Sequence, residues 1–259
     1  MRKMFLFFIL LLPLLVAAQV TVKEIKEAHP VEETGEYVFP FIKAKSSTVS
    51  NRINNTLCSD FLDVDRSKIK KSIFENVWPG EENPMGRLHD ISYEVLQNSN
   101  RIFSISISAE GCGAYCEGFT RYYNFDLQTG KQFLLEDLLT ADGKKLLLES
   151  INKQKKETLE HKIRLAKETL RKKGSSLSEE DKEYYKEMIE LYNNCLERKY
   201  SSFEYAQFSL QQKTLVVLGE RCSAHVNRNV DELGDFEYGF SLANWKKYFS
   251  SYGLSLLTE

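Results

Sequence analysis

Histidine and tryptophan are scarce in this 259-residue chain, with four and two copies. The usual sequence marks of catalysis are missing as well. There is no His-Glu-x-x-His helix for zinc, no Gly-x-Ser-x-Gly nucleophile elbow, no Gly-rich phosphate loop and no dinucleotide fingerprint. No cofactor is therefore expected. Net charge is small: 35 Lys and Arg against 37 Asp and Glu leave −2, which gives no electrostatic case for nucleic acid. Beyond the N-terminus, no apolar run reaches the ~20 residues that a membrane-spanning helix needs. Internal repeats and low-complexity linkers are absent too.

What is present begins with an export pattern. Arg2 and Lys3 precede an apolar stretch, Met4 to Val16, interrupted only by Pro13, and Val16-Ala17-Ala18 supplies small residues at a cleavage position. Residues 1–18 are expected to be a cleavable signal peptide, with a mature chain starting near Gln19, delivered to the periplasm or secreted, and carrying no membrane span after cleavage. Five cysteines follow: Cys58, Cys112, Cys116, Cys195 and Cys222. An oxidising compartment favours disulfides, and an odd count leaves one thiol unpaired or paired with another chain. Cys112, Cys116, Cys195 and Cys222 are the disulfide candidates, in unspecified connectivity. Gly111, Gly113 and Gly118 would let the chain close a local bridge around Cys112-x-x-x-Cys116. The competing reading is a structural zinc set of Cys112, Cys116, Cys222 and His225. Export weighs against it, and no metal site is assigned.

Element patterns are mixed. Val20 to Lys23 and Tyr37 to Ile42 read as strands, with Pro40 placing the second at an edge or bulge. Ser46-Ser47 caps a helix with Val49, Ile53, Leu57 and Phe61 on one face. A hairpin follows, with Ile91, Tyr93 and Val95 inward on one strand, Phe103, Ile105 and Ile107 on the next, and Asn98-Ser99-Asn100 turning between them. Thr120 to Leu127 is a further strand. From Asp142 to Lys199 charge is dense and apolar spacing is helical, with Leu147, Ile151, Leu159, Ile163 and Ala166 on one stripe. Gly174-Ser175-Ser176 breaks the run. A capping box Ser176–Glu179 starts a second helix with Tyr185, Met188, Ile189 and Tyr192 on one face. Strands return at Tyr205–Leu210, Thr214–Leu218 and Phe236–Ser241, and a last helix carries Trp245, Tyr248 and Phe249. The expected fold is α+β: an antiparallel sheet packed by helices, with a helical-hairpin insertion over 142–199.

The segment Tyr122-Tyr-Asn-Phe-Asp-Leu-Gln-Thr-Gly-Lys-Gln-Phe-Leu-Leu-Glu-Asp-Leu-Leu139 resembles the signature of the DUF3298 family. The part upstream, with its Pro-bearing strand, helix and hairpin, resembles the companion DUF4163 module. With residues 1–18 expected as the export signal, the resemblance implies a DUF4163-like lobe over 19–110 and a DUF3298-like lobe over 111–259. This pair of modules occurs in the extracellular part of the lysozyme-sensing anti-sigma factor RsiV and ahead of the deacetylase domain of PdaC-like proteins. It implies a fold, and a ligand such as peptidoglycan or a lysozyme-like protein. Family members often carry a Gly-Gly-Ala-His-like stretch where this chain has Gly113-Ala114-Tyr115.

The function expected on these grounds is a non-catalytic binding module for cell-wall glycan or a wall-acting protein. Tyr115, Glu117 and Phe119, on the segment Gly111–Gly118 and just beyond it, are the ligand-binding candidates. A buried structural role for these aromatics is the plainer alternative. Two other readings stay open. One is a glycan hydrolase using a carboxylate such as Glu117 or Asp137. The other is a structural or assembly partner that makes contact through the helical hairpin. No residue is assigned as catalytic.

Overall fold

The computed structural model describes residues 20–29, 35–78, 87–112, 116–204 and 206–257. Residues 1–18, expected to be an export signal, and Tyr115 lie outside these residues, as do the side chains of Cys112 and His225. The chain is α+β, with antiparallel sheets packed against helices.

Strands β1 (Val20–Ala28) and β2 (Glu36–Ala44) form a two-stranded ribbon. Pro40 sits in β2 opposite Glu24, in a ribbon where every strand is an edge. Helix α1 (Ser47–Phe61) starts where the Ser46 hydroxyl accepts from the Val49 amide. Its Val49, Ile53, Leu57 and Phe61 are all buried. Asn54 shares that face, where its side chain accepts from Ile42 N and donates to Ile42 O, each at 2.8 Å. The helix is thereby stitched to β2.

The central sheet has four strands in the order β3 (Arg87–Asn98), β4 (Ile102–Cys112), β5 (Cys116–Asp126) and β6 (Lys131–Gln132). Strand β4 is buried on both sides. Phe103, Ile105 and Ile107 face α1 and the ribbon, while Ile102 joins a second hydrophobic cluster. Residues 110 and 111 both fall inside β4, and its pairing with β5 runs unbroken past them. One expectation fails on β3. Val95 is exposed at 37%, although it pairs with buried Ile105, because β3 lies at the edge of the sheet.

The signature segment proves structural. The Asn124 side chain accepts from the Ser104 hydroxyl and donates to Phe208 O, across to the second sheet. Buried Asp126 holds Arg101 through two hydrogen bonds and accepts from the Gln128 amide. Gly130 closes the turn at φ 68°, where a Cβ would lie 2.9 Å from Val49 O. Helix α2 (Leu135–Leu138) follows, with Leu135, Leu138 and Leu139 buried. Leu134 is 57% exposed: it occupies the N-cap, where its amide donates to the Asp137 carboxylate and its side chain points outward.

Helices α3 (Ala141–Lys173) and α4 (Glu179–Glu197) form the expected hairpin. The capping box lies two residues later than Ser176–Glu179: Ser178 caps α4 and Asp181 answers it. Ser176 is engaged elsewhere, its amide and hydroxyl both donating to Lys173 O to close α3. A second sheet, β7 (Phe208–Gln211), β8 (Thr214–Gly219) and β9 (Phe236–Ser241), packs through β7 on the far face of the first. The C-terminal helix divides into α5 (Leu242–Trp245), a 3₁₀ turn at Lys246–Tyr248 and α6 (Ser251–Leu257). The break comes from an antiparallel bridge between Phe249 and Leu139, flanked by Thr140 N donating to Tyr248 O and Ser250 N to Leu138 O.

Candidate functional site

Side chains alternate along β5, so Glu117, Phe119, Arg121, Tyr123 and Phe125 share one face. Phe125 and Tyr123 are buried over the core, and exposure rises toward the start of the strand. Phe119 is 36% exposed and stacks on Phe61, with ring centroids 5.7 Å apart. One ring face is thus held by the end of α1, a ring edge lies beside Gly111, and part of the ring is open to solvent.

Two ion pairs flank this ring. On one side, Glu117 pairs with Arg221, a residue from the segment after β8, whose side chain is only 17% exposed. On the other, Arg121 donates to the carboxylate of Asp60 at 3.2 Å and to its carbonyl at 2.6 Å. The Tyr123 hydroxyl donates to the same Asp60 carboxylate at 2.6 Å. Burial, followed by that contact, holds the Tyr123 phenol far above the ordinary tyrosine range, so it stays a donor at any physiological pH. The result is a ledge with an aromatic centre and fixed polar groups on both sides.

Arg221 is itself positioned. Its amide donates to Asp235 at 3.2 Å. The next residue, Cys222, is disulfide-bonded to Cys195 near the end of α4. Arg198 donates to Cys222 O at 2.7 Å, and Lys155 donates to Arg198 O at 2.7 Å. Lys155 occupies the buried stripe of α3 between Ile151 and Leu159, so part of the charge there is interior. Its ammonium lies 4.8 Å from the centre of the Tyr200 ring, and burial, then Arg198, lowers its pKa. Nearby, Asp231 accepts from Tyr192 OH and from the amides of Ser223, Leu233 and Gly234, which orders the loop behind Arg221.

Cysteine chemistry is settled for four residues. Cys195 and Cys222 are bonded to each other, Cys116 is disulfide-bonded, and Cys58 is a buried free thiol. The zinc set of Cys112, Cys116, Cys222 and His225 is therefore overturned, since Cys116 and Cys222 are not available as thiolates. Among the described residues no group of three or more His, Cys, Asp or Glu could hold a metal ion. Gly111 and Gly118 are not needed for a tight turn. Both lie in strands without positive φ, and a Cβ would meet only ordinary contacts at the first and open space at the second.

Of the sequence candidates, the structure brings Glu117 and Phe119 to one surface, while Tyr115 lies outside the described residues. Asp60, Arg121 and Arg221 were missed. The alternation Glu117-x-Phe119-x-Arg121 contained the signal for Arg121. Asp60 and Arg221 arrive only through tertiary packing, 61 and 104 residues from their partners. The carboxylate of Asp137 caps α2, and Glu117 is ion-paired with Arg221.

No family model matches this sequence, and no curated protein matches it. Solved structures do. A member of the DUF3298 family from Bacteroides fragilis superposes with a TM-score of 0.52 at 12% identity, covering 94% of this chain and 98% of that one. The chain has the fold of a DUF3298 family protein. A second member, from Pseudomonas aeruginosa, has 9% identity and a TM-score of 0.46 over 90% of this chain and 94% of its own. The DUF3298 likeness is one of fold, and within it Asn124, Asp126 and Gly130 of the signature segment hold strands, turn and helix together.

Proposed function

We propose that this protein is an exported, non-catalytic binding module, acting in the periplasm or outside the cell, and that the ledge around Phe119 takes cell-wall glycan. One observation carries the reading: a half-exposed aromatic ring, backed by Phe61, between the pairs Glu117–Arg221 and Asp60–Arg121. A sugar ring offers an apolar face of C–H groups and an edge of hydroxyls. The aromatic ring suits the face, and paired carboxylates and guanidinium groups suit the edge. Because each charged group is already paired, the ledge can exchange hydrogen bonds with hydroxyls without leaving an isolated charge. Disulfide bonding at Cys116, Cys195 and Cys222 supports delivery to an oxidising compartment.

Co-sedimentation with insoluble peptidoglycan tests this, with immobilised lysozyme as a parallel bait. Wild-type protein should sediment with peptidoglycan. Phe119→Ala and the double variant Tyr115→Ala/Glu117→Ala should remain in solution with an unchanged circular dichroism spectrum. Retention on lysozyme alone would replace the glycan by a wall-acting protein, and retention on neither bait would end the proposal.

A further inference from the structure

Strand β1 pairs with β2 and with no other described strand, so its far side is an open edge. The residues opposite show which of its backbone groups face outward. Val20 lies opposite Ala44, and its amide and carbonyl both bond to the Asn98 side chain, at 3.3 and 2.9 Å. The amide and carbonyl of Ile42, opposite Val22, both bond to Asn54 instead of β1. Pro40, opposite Glu24, has no N–H to give. The even-numbered residues of β1 therefore exchange no bonds with β2, and the N–H and C=O of Val22, Glu24, Lys26 and Ala28 point away from the ribbon. Among the described residues no other backbone group bonds them. Such a row is a template for a further strand.

The charges along the row select the strand that fits. Counting outward from Ile25, Glu24 and Lys26 have opposite signs, and so do Lys23 and Glu27. Lay two copies of β1 antiparallel with Ile25 on the two-fold axis. Each Glu24 then faces the second copy's Lys26, each Lys23 faces its Glu27, and Val22 faces its Ala28. Every even-numbered residue faces an even-numbered one, so the outward N–H and C=O groups meet each other. A slip of one strand by one residue turns these groups out of line. A slip by two keeps them in line but sets Glu24 on Glu24 or Lys26 on Lys26, which repel. The half-buried Ile25 meets its own copy at the axis and adds an apolar contact. Within one chain the carboxylates are held along the edge: Glu24 by Lys26 at 3.1 Å and the Tyr93 hydroxyl at 3.4 Å, Glu27 by the Ser72 hydroxyl at 2.6 Å. Each keeps further capacity to accept. We propose that β1 is a self-pairing edge, through which two copies of this protein form a two-fold symmetric dimer and join their two-stranded ribbons into one sheet. Charges of one sign would repel a second copy; here each charge finds its opposite. None of these residues belongs to the glycan ledge.

Sedimentation equilibrium of the purified protein across the micromolar range tests this. Wild type should show a monomer–dimer equilibrium that weakens as salt is raised. Lys23→Glu/Lys26→Glu makes the edge acidic, and Glu24→Lys/Glu27→Lys makes it basic. Each variant alone should dimerise at least tenfold more weakly than wild type, and an equal mixture of the two should recover the wild-type affinity. Recovery on mixing depends on charge across the edge, so it distinguishes pairing from damage to the fold; unchanged circular dichroism checks each variant separately. Ile25→Cys places a thiol beside its own copy at the axis, within reach of a disulfide, and should give a covalent dimer on mild oxidation. Thr21→Cys, away from the axis, should not. A wild-type protein that stays monomeric would overturn the proposal. So would a dimer whose affinity is the same in both charge variants, a mixture no tighter than its components, or cross-linking through Thr21→Cys in place of Ile25→Cys.

Discussion

Replacing Cys195 and Cys222 together by alanine removes the covalent tie between the end of α4 and the segment that carries Arg221. The bridge spans 27 residues of sequence. In the chain-entropy description, cross-linking a loop of that length removes unfolded-state freedom equivalent to ~3.5 kcal/mol at 25 °C. Both residues are buried in the larger cluster, at 1% and 3% exposure, so trimming the sulfur atoms adds lost packing of ~1 kcal/mol. Alanine is the right replacement because serine would place new hydroxyls there without partners. The expected loss of about 4.5 kcal/mol is a large share of the ~5–15 kcal/mol that holds a typical domain together. Urea unfolding followed by circular dichroism reads it as a fall in midpoint. The slope should rise or stay level, because an uncrosslinked unfolded chain exposes no less surface. Cys58→Ala, at a thiol outside any bridge, controls for loss of a cysteine as such. A difference below about 1 kcal/mol would refute the reasoning. So would alkylation of Cys195 or Cys222 in the denatured, unreduced protein.

Other consequences follow from single contacts. Burial pushes the Cys58 thiol up to about 11 from 9.0, with Arg66 offsetting only part of the rise. The unfolded chain therefore loses this proton first, and the associated stability is complete below pH 9 and lost as pH rises toward 11. Urea midpoints across that range should fall less for Cys58→Ala than for wild type, and native protein should resist iodoacetamide at pH 8. Gly130→Ala combines positive φ with close approach to Val49 and should cost about 1–3 kcal/mol in thermal unfolding. Gly111→Ala, where the new Cβ meets nothing closer than 3.5 Å, should change stability by no more than ~0.5 kcal/mol. Asn54→Ala strands the amide and carbonyl of Ile42 and should cost about 2–3 kcal/mol in the same measurement.

Much of the fold was legible because burial imposes period. The stripe Val49, Ile53, Leu57 and Phe61 marked α1, and alternation from Phe103 to Ile107 marked β4. Where two local solutions competed, the sequence alone did not rank them. Ser176-x-x-Glu179 and Ser178-x-x-Asp181 overlap as capping boxes, and closure of α3 by Ser176 decides for the second. Val95 failed because alternation does not tell which strand ends at the edge of a sheet. The C-terminal helix broke because Phe249 bridges to Leu139, a contact more than a hundred residues away in sequence. The same limit applies to the ledge. One strand supplies Glu117, Phe119 and Arg121, whereas α1 supplies Asp60 and a loop tied to α4 supplies Arg221. Lys155 stands among dense charge in the sequence, and only tertiary structure places its stem inside and its ammonium on Arg198 O.

Titration calorimetry of the purified protein with soluble peptidoglycan fragments tests the proposed glycan ledge most directly. Wild type should bind with a stoichiometry of one. Phe119→Ala should weaken binding at least tenfold, equivalent to about 1.4 kcal/mol or more. An absence of binding, or equal affinity in Phe119→Ala and wild type, would contradict the assignment of the ledge.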